Sequence, residues 1–244
     1  MKNIDFLSKA LYRIGLRASL VAQTCTNLYH QRKLEKLSLS QVKQINTHMT
    51  SRELNTLYDL ATTCGKFARV LEIGSYLGAS SCYLAAALAN QDGHLFCVDT
   101  WENQTMPEGE HDTFLEFNNN TKALAQYITP IRKNSRDLVE ADIKHPLNLV
   151  FIDGDHSYAA VKNDYEKVAP WIIDGGVLAF HDSIHFEGVS RTIGEALASG
   201  GWQLNGHADN LLWLRKVGRK HLNFTNPIET DKVDSEMTFE SKLS

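Results

Sequence analysis

The stretch "VLEIGSYLGASSCYLAAAL", residues 70–88, passes from apolar positions through Gly74 and Gly78 into a run of small and apolar residues. A strand, a glycine turn and a helix in that order are the unit from which parallel sheets are built. Glycine lets the backbone approach a ligand, and the start of the helix, near Ser80 and Ser81, presents unpaired N–H groups to it. The turn is therefore a candidate ligand cradle. A dinucleotide fingerprint starting at Gly74 would carry further glycines where Tyr76 and Ala79 stand, which argues against an NAD site.

Outward from this stretch the same alternation continues. Candidate strands are 68–74, 94–99, 127–132, 147–153 and 176–182, with helices near 78–90, 112–125, 158–169 and 188–198. Near-continuous apolar strands separated by helices predict a parallel sheet covered on both faces. "WQLNG" and "LLWLRK", after residue 201, predict a closing antiparallel pair. Ahead of the first strand, Thr50 and Glu53 carry a capping-box signature for a helix. Residues 1–47 repeat apolar positions at helical spacing, Leu7, Leu11, Ile14, Ala18, Val21 and Cys25, which predicts one or two amphipathic helices. These serve as a lid or a dimer contact rather than a membrane-binding surface. A domain over 48–217 follows, and 218–244 is polar and aperiodic, as expected of a tail.

Composition sets the class. With 244 residues, 43% of them hydrophobic, the chain suits one soluble α/β domain with appendages. Its formal charge is −4 and its basic residues do not gather into one run, so no nucleic-acid partner is expected. Cys25, Cys64, Cys82 and Cys97 form no C-x-x-C pair and read as reduced thiols in the cytoplasm. No apolar run reaches the roughly 18 residues of a membrane span.

The glycine turn, quoted as "EIGSYLG" (72–78), resembles motif I of class I S-adenosylmethionine-dependent methyltransferases. The next strand ends in Asp99, and the resemblance gives its carboxylate the ribose hydroxyls of the cofactor. It also implies cofactor contacts from Glu72, Gly74, Ser75, Gly78, Ser80, Ser81, Thr100, Trp101 and Asp153, and adenine contacts around Asn134, Ser135 and Arg136. The implied fold is Rossmann-like, a mostly parallel seven-stranded sheet flanked by helices, with an N-terminal helical extension.

"FIDGDHSY" (151–158) and "LAFHDS" (178–183) end the fourth and fifth strands, so both face the crevice outside the strand ends. Asp153, Asp155, His156, His181 and Asp182 can converge there, and such a set suits a hard divalent cation. The pairing resembles a branch of O-methyltransferases that includes the macrolide-sugar enzymes and the cephalosporin-hydroxylase-like proteins. That resemblance implies a metal held by Asp153, His181 and Asp182, Mg²⁺ or else Mn²⁺ or Fe²⁺, although His181 stands where those relatives favour a carboxylate. It makes His156 the base that acts beside Asp153. Asp155 is expected to cap a turn or the next helix. The insertion 100–121, with Trp101 poised to stack on a ring and His111 and Asp112 near polar groups, and the segment 183–189, with His185 and Phe186, are expected to choose the acceptor.

The expectation is thus methyl transfer from S-adenosylmethionine to a hydroxyl of a small-molecule or glycosyl acceptor, in a homo-oligomer of two or more chains. The rivals are metal-independent transfer with His156 or His181 as base, and a non-catalytic or oxidative relative that binds the cofactor.

Overall fold

A computed structural model describes residues 2–37, 39–104, 108–143 and 146–218, with side chains from residue 12 onward. The tail expected over 218–244 lies outside the described residues, apart from Gly218. The described elements are α1 (Lys2–Lys36), α2 (Ser51–Thr63), β1 (Arg69–Ile73), α3 (Ala79–Ala89), β2 (His94–Asp99), α4 (Phe114–Thr121), β3 (Ile128–Arg132), β4 (Leu147–Ile152), α5 (Tyr158–Val168), β5 (Ile172–Phe180), α6 (Glu187–Ala198), β6 (Trp202–Ala208) and β7 (Leu211–Lys216).

The strands form one seven-stranded sheet in the order β3-β2-β1-β4-β5-β7-β6. Strands β1 to β5 pair in parallel and β7 runs antiparallel to both its neighbours. The period of two along each strand sorts the buried side chains into two cores. Val70, Leu95, Cys97, Leu149, Phe151, Val177 and Ala179 face the layer built by α2 and α3. Leu71, Ile73, Phe96, Val98, Val150, Ile152, Leu178 and Phe180 face the layer of α5 and α6. Near-continuous apolar strands follow from having a core on either face.

The capping box at α2 is present: Thr50 Oγ1 accepts from the Glu53 N–H at 3.2 Å, and Glu53 Oε2 accepts from the Thr50 N–H at 2.7 Å. The amphipathic pattern of the first segment becomes one continuous helix, α1, followed by a short 3₁₀ turn at Ser40–Gln44. Among its described side chains, from residue 12 onward, those of the last turns dock. His30 and Leu34 are buried, whereas Ile14, Val21 and Leu28 are 63%, 63% and 50% exposed. No helix of the described residues is long and apolar enough to cross a membrane.

Candidate active site

Parallel register brings the chemistry together. Val98, Ile73, Ile152 and Phe180 are aligned across four neighbouring strands, so the residues that follow them, Asp99, Gly74, Asp153 and His181, stand side by side at the sheet's carboxyl edge. Backbone bonds continue the ladder there, from the Gly74 N–H to Val98 O, the Asp153 N–H to Ile73 O and the His181 N–H to Ile152 O. Gly74 has φ +87°, and a Cβ on it would sit 2.0 Å from the carbonyl oxygen of Asp153. Only glycine lets the turn after β1 close against the end of β4.

Two cavities meet at this edge. The first, about 330 Å³, is lined by Gly74, Asp99, Thr100, Ser135 and Asp153 among others. The second, about 340 Å³, is lined by Gly74, Ser75, Ser80, Asp153, His156, His181 and Asp182, with Asn46–Met49, Tyr76 and Phe186. Gly74, Tyr76, Asp153 and Gly154 belong to both. Each volume falls within the usual range of about 300–1,000 Å³ for ligand pockets.

At the first cavity Asp99 is engaged by the turn itself. Its Oδ2 accepts from the Ser75 and Tyr76 N–H groups, each at 2.8 Å, and its Oδ1 from the Trp101 N–H at 2.7 Å. A carboxylate has roughly four acceptor positions, so about one is left for a ligand. A ribose diol that took both its bonds from Asp99 would displace one of these backbone donors.

Several residues expected at the cofactor line neither cavity. Glu72 shares the inward face of β1 with Val70 and is fully buried beneath the turn. Ser75 Oγ donates to its Oε2 at 2.8 Å, and Ser81 Oγ donates to the same oxygen. Burial pushes the Glu72 carboxyl above its ordinary pKa, against the lowering effect of these bonds. Glu72 and Ser81 therefore brace the turn from below. Gly78, at φ +89°, packs against Thr121 and Phe117. Trp101 is 1% exposed, its ring 4.8 Å from Phe114 and 4.7 Å from Phe117, and its Nε1 donates to Tyr76 O. It is a core residue under the turn and offers no stacking face to a ligand. In the same insertion His111 and Asp112 are exposed, and Asp112 pairs with Arg132 at 2.7 Å; residues 105–107 lie outside the described residues.

The second cavity holds the acid and imidazole cluster. His181 Nδ1 lies 3.2 Å from Asp153 Oδ1 and 3.5 Å from Asp182 Oδ2. His156 Nε2 lies 3.7 Å and 3.3 Å from the same two oxygens. Asp153, His181 and Asp182 can offer ligand atoms that all lie within 4.8 Å of one another. On its other side, His181 Nε2 is 3.4 Å from Oε2 of the buried Glu53. Burial opposes a charged ring at His181, but the Asp153, Asp182 and Glu53 carboxylates overcome it and hold its pKa well above the ordinary value. Hydrogen bonding from His181 holds the Asp182 carboxyl below its own ordinary value, against its partial burial.

Local backbone explains the aim of these groups. Asp182 adopts φ +53°, a strained conformation for a non-glycine residue, with its carbonyl accepting from the His185 and Phe186 N–H groups. Phe186 stacks on the His156 ring at 4.3 Å. A Cβ on Gly188 would fall 2.4 Å from His156 O, so the start of α6 presses on the loop that carries His156. Asp155 makes the turn expected of it, its Oδ1 accepting from the Ser157 N–H at 2.8 Å, while Ser157 is the N-cap of α5. His185 lines neither cavity.

The wall formed by Asn46–Met49 carried no sequence signal beyond lying ahead of a helix cap. His48 sits 6.1 Å from the Tyr76 ring and 3.3 Å from Glu108 Oε1. It reaches the crevice because α2 packs on α3, a tertiary contact that no local pattern encodes.

Residues 71–183 match the family model described as a methyltransferase domain. An uncharacterized protein of Sinorhizobium fredii, y4gI, is 31% identical over 123 residues, which cover 47% of this chain; the chain spans only 13% of that relative's length. Among solved structures, a Staphylococcus aureus protein provisionally designated a caffeoyl-CoA O-methyltransferase is similar over 82% of this chain and 100% of its own, at 16% identity and a TM-score of 0.60. An O-methyltransferase from Bacillus cereus in complex with S-adenosylhomocysteine is similar over 77% of this chain and 91% of its own, at 15% identity and a TM-score of 0.55. At such identities the likeness establishes the fold. Over residues 71–183 the chain is thus similar to a methyltransferase domain, and its strand order and glycine turn belong to the fold that these solved structures share.

Proposed function

We propose that the protein transfers the methyl group of S-adenosylmethionine to a hydroxyl of a small-molecule or glycosyl acceptor, with a divalent cation at Asp153, His181 and Asp182. The observation that carries this reading is the meeting of the two cavities at Gly74 and Asp153, with the acid and imidazole cluster on the far side of the junction. The glycine cradle and the free acceptor position of Asp99 suit an adenosine in the first cavity, beside Ser135. The cofactor, when bound, supplies an electrophilic methyl carbon on a sulfonium sulfur.

The acceptor lies in the second cavity, between His48 and Tyr76 on one side and Phe186 on the other. His156 Nε2 takes the acceptor's hydroxyl proton, and the oxygen bonds to the methyl carbon as the carbon–sulfur bond breaks. The cation, when bound, supplies Lewis-acid polarisation of that oxygen. An imidazole in the donor set suits Mn²⁺ or Fe²⁺ better than Mg²⁺. Asp153, His181 and Asp182 would hold that cation, His181 as a neutral ring.

The charge held on His181 supports a second reading, in which the imidazolium itself is the resident cation and no metal takes part. Calorimetry of S-adenosylmethionine binding in EDTA and then in Mn²⁺ or Mg²⁺, alongside Mn²⁺ binding followed by electron paramagnetic resonance, separates them. The first reading expects cofactor binding throughout and a specific Mn²⁺ site. The second expects the cofactor alone to bind. Loss of cofactor binding under every condition sinks both.

The assembly reading rests on α1. Leu7, Leu11, Ile14, Ala18, Val21, Cys25 and Leu28 alternate at spacings of four and three, the seam of a coiled coil. The flanking positions Gly15, Ala22, Arg17 and Thr24 bring a single charge to it, so identical copies meet without repulsion. A second copy of this chain is the occupant these features fit, and Cys25, exposed within the seam, reports on it. Sedimentation equilibrium is expected to give a multiple of the chain mass, with oxidative cross-linking through Cys25; a monomer at all concentrations overturns the assembly. The four unpaired cysteines favour a reducing compartment, the cytoplasm.

A further inference from the structure

We propose that Glu53 is a positioning residue of the active site, orienting the His181 ring from behind so that Nδ1 faces Asp153 and Asp182. This rests on the proposed site and adds to it a residue that otherwise reads as a helix cap. Glu53 sits in the first turn of α2, and its capping bonds with Thr50 account for its place in the sequence. They do not account for its burial. A capping glutamate works in contact with water, whereas Glu53 is 0% exposed. Burying a carboxylate costs several kcal/mol unless a cation and hydrogen bonds compensate. The N–H groups of Thr50 and Asn210, each at 2.7 Å, supply the hydrogen bonds. Facing the same carboxylate is the His181 ring, with Nε2 3.4 Å from Glu53 Oε2.

His181 has the complementary need. It is 3% exposed, and its Nε2 has no aligned hydrogen-bond acceptor among the described residues. Glu53 is the carboxylate on that side, as Asp153 and Asp182 are on the other. A carboxylate behind one ring nitrogen fixes the tautomer and the aim of the opposite nitrogen, the arrangement by which ligating histidines are held. Glu53 is itself anchored at the tip of the β6–β7 turn. The Asn210 N–H donates to its Oε1, and Asn210 O accepts from the Ser183 N–H at 3.0 Å, one residue beyond Asp182.

Glu53→Gln removes the negative charge facing His181 while its one amide oxygen still accepts the capping Thr50 N–H; the bond from the Asn210 N–H is lost with the other oxygen. The full chain is labelled with ¹⁵N-histidine, and the His181 ring signals are assigned by their loss in His181→Asn. In Glu53→Gln the His181 Nε2 signal is expected to move and the Mn²⁺ affinity to fall about 10- to 100-fold, with cofactor affinity unchanged. In Thr50→Ala, which loses the hydroxyl's bonds to the Glu53 N–H and to Asp209 but keeps the backbone N–H that donates to the Glu53 carboxylate, both are expected to stay as in the parent. Unchanged ring signals in Glu53→Gln overturn the proposal. If the parent binds no Mn²⁺, the metal reading fails and the ring signals alone decide the role of Glu53. Should Glu53→Gln fail to fold, Glu53→Gln combined with His181→Asn is expected to fold, the buried ring that Glu53 faces being gone. A double variant that also fails to fold assigns Glu53 to the cap and overturns the proposal.

Discussion

Two buried histidines, His30 where α1 meets α2 and His181 at the sheet edge, are 2% and 3% exposed and both lie against carboxylates. His30 is fully matched. Its Nδ1 donates to Thr26 O at 2.9 Å and its Nε2 to Asp59 Oδ1 at 2.8 Å, and it has edge contacts with Tyr29 and Tyr58. His181 has three carboxylates around two nitrogens, at 3.2 to 3.5 Å, looser than a hydrogen bond of ordinary length. The first arrangement is complete in itself and holds two helices together. The second carries more negative charge than one ring can neutralise, which is the condition for receiving a cation or a polar reactant. Burial alone does not mark a functional histidine; unmatched valence does.

The largest test of that contrast removes the carboxylates. Asp153→Asn and Asp182→Asn keep side-chain shape but take away the charge, and each is expected to lower turnover about 10²- to 10⁴-fold, the scale of a lost charge-stabilising or proton-transferring group. Cofactor affinity, measured by calorimetry, is expected to stay within a few-fold, since the first cavity keeps Gly74, Asp99 and Ser135. Parental turnover in both variants would remove the cluster from the chemistry.

A smaller effect is expected from His156→Ala. Proton removal by a positioned base is worth at least about 10²-fold, and hydroxide replaces it in part as the pH rises. Turnover of the variant is therefore expected to recover at alkaline pH relative to the parent, in a plain pH–rate profile. A flat ratio between the two across pH assigns His156 to packing against Phe186 instead. His30→Asn gives the matching control: a stability loss of about 1–3 kcal/mol in chemical denaturation, from the unpaired buried partners, with turnover unchanged.

How much of this was legible in the sequence follows from the range of each interaction. Strand ends at Asp99, Asp153 and His181–Asp182 could be read because parallel strands are apolar to their last residue and polar immediately after. The capping box could be read because its partners are three residues apart. The direction of Glu72 could not, since the motif names a carboxylate while the pleat of β1 turns it inward with Val70. Trp101 misled for a similar reason: an aromatic in a polar insertion reads as a platform, and only Phe114, Phe117 and the Tyr76 carbonyl show it to be core. The second role of Glu53 and the wall at Asn46–Met49 depend on α2 lying across the strand ends, a contact with no local signature.

The smallest effect concerns His30 and pH. Burial disfavours its charged ring, but the Asp59 and Thr26 hydrogen bonds prevail and its pKa stands above the ordinary value. A group whose pKa is raised on folding contributes stability in full below its unfolded value, about 6.5, and that contribution is lost as pH rises through the folded value. Asp59 is more than half exposed, so solvent screening keeps the contribution small. The docked end of α1 is therefore expected to loosen toward alkaline pH, seen as faster amide hydrogen exchange over residues 26–36 once intrinsic base catalysis is divided out. His30→Asn is expected to abolish that pH dependence while leaving the exchange of β1 and β4 as it was. The same dependence persisting in the variant would show that His30 does not tie α1 to α2 by charge, and the contrast with His181 would then rest on neutral hydrogen bonds alone.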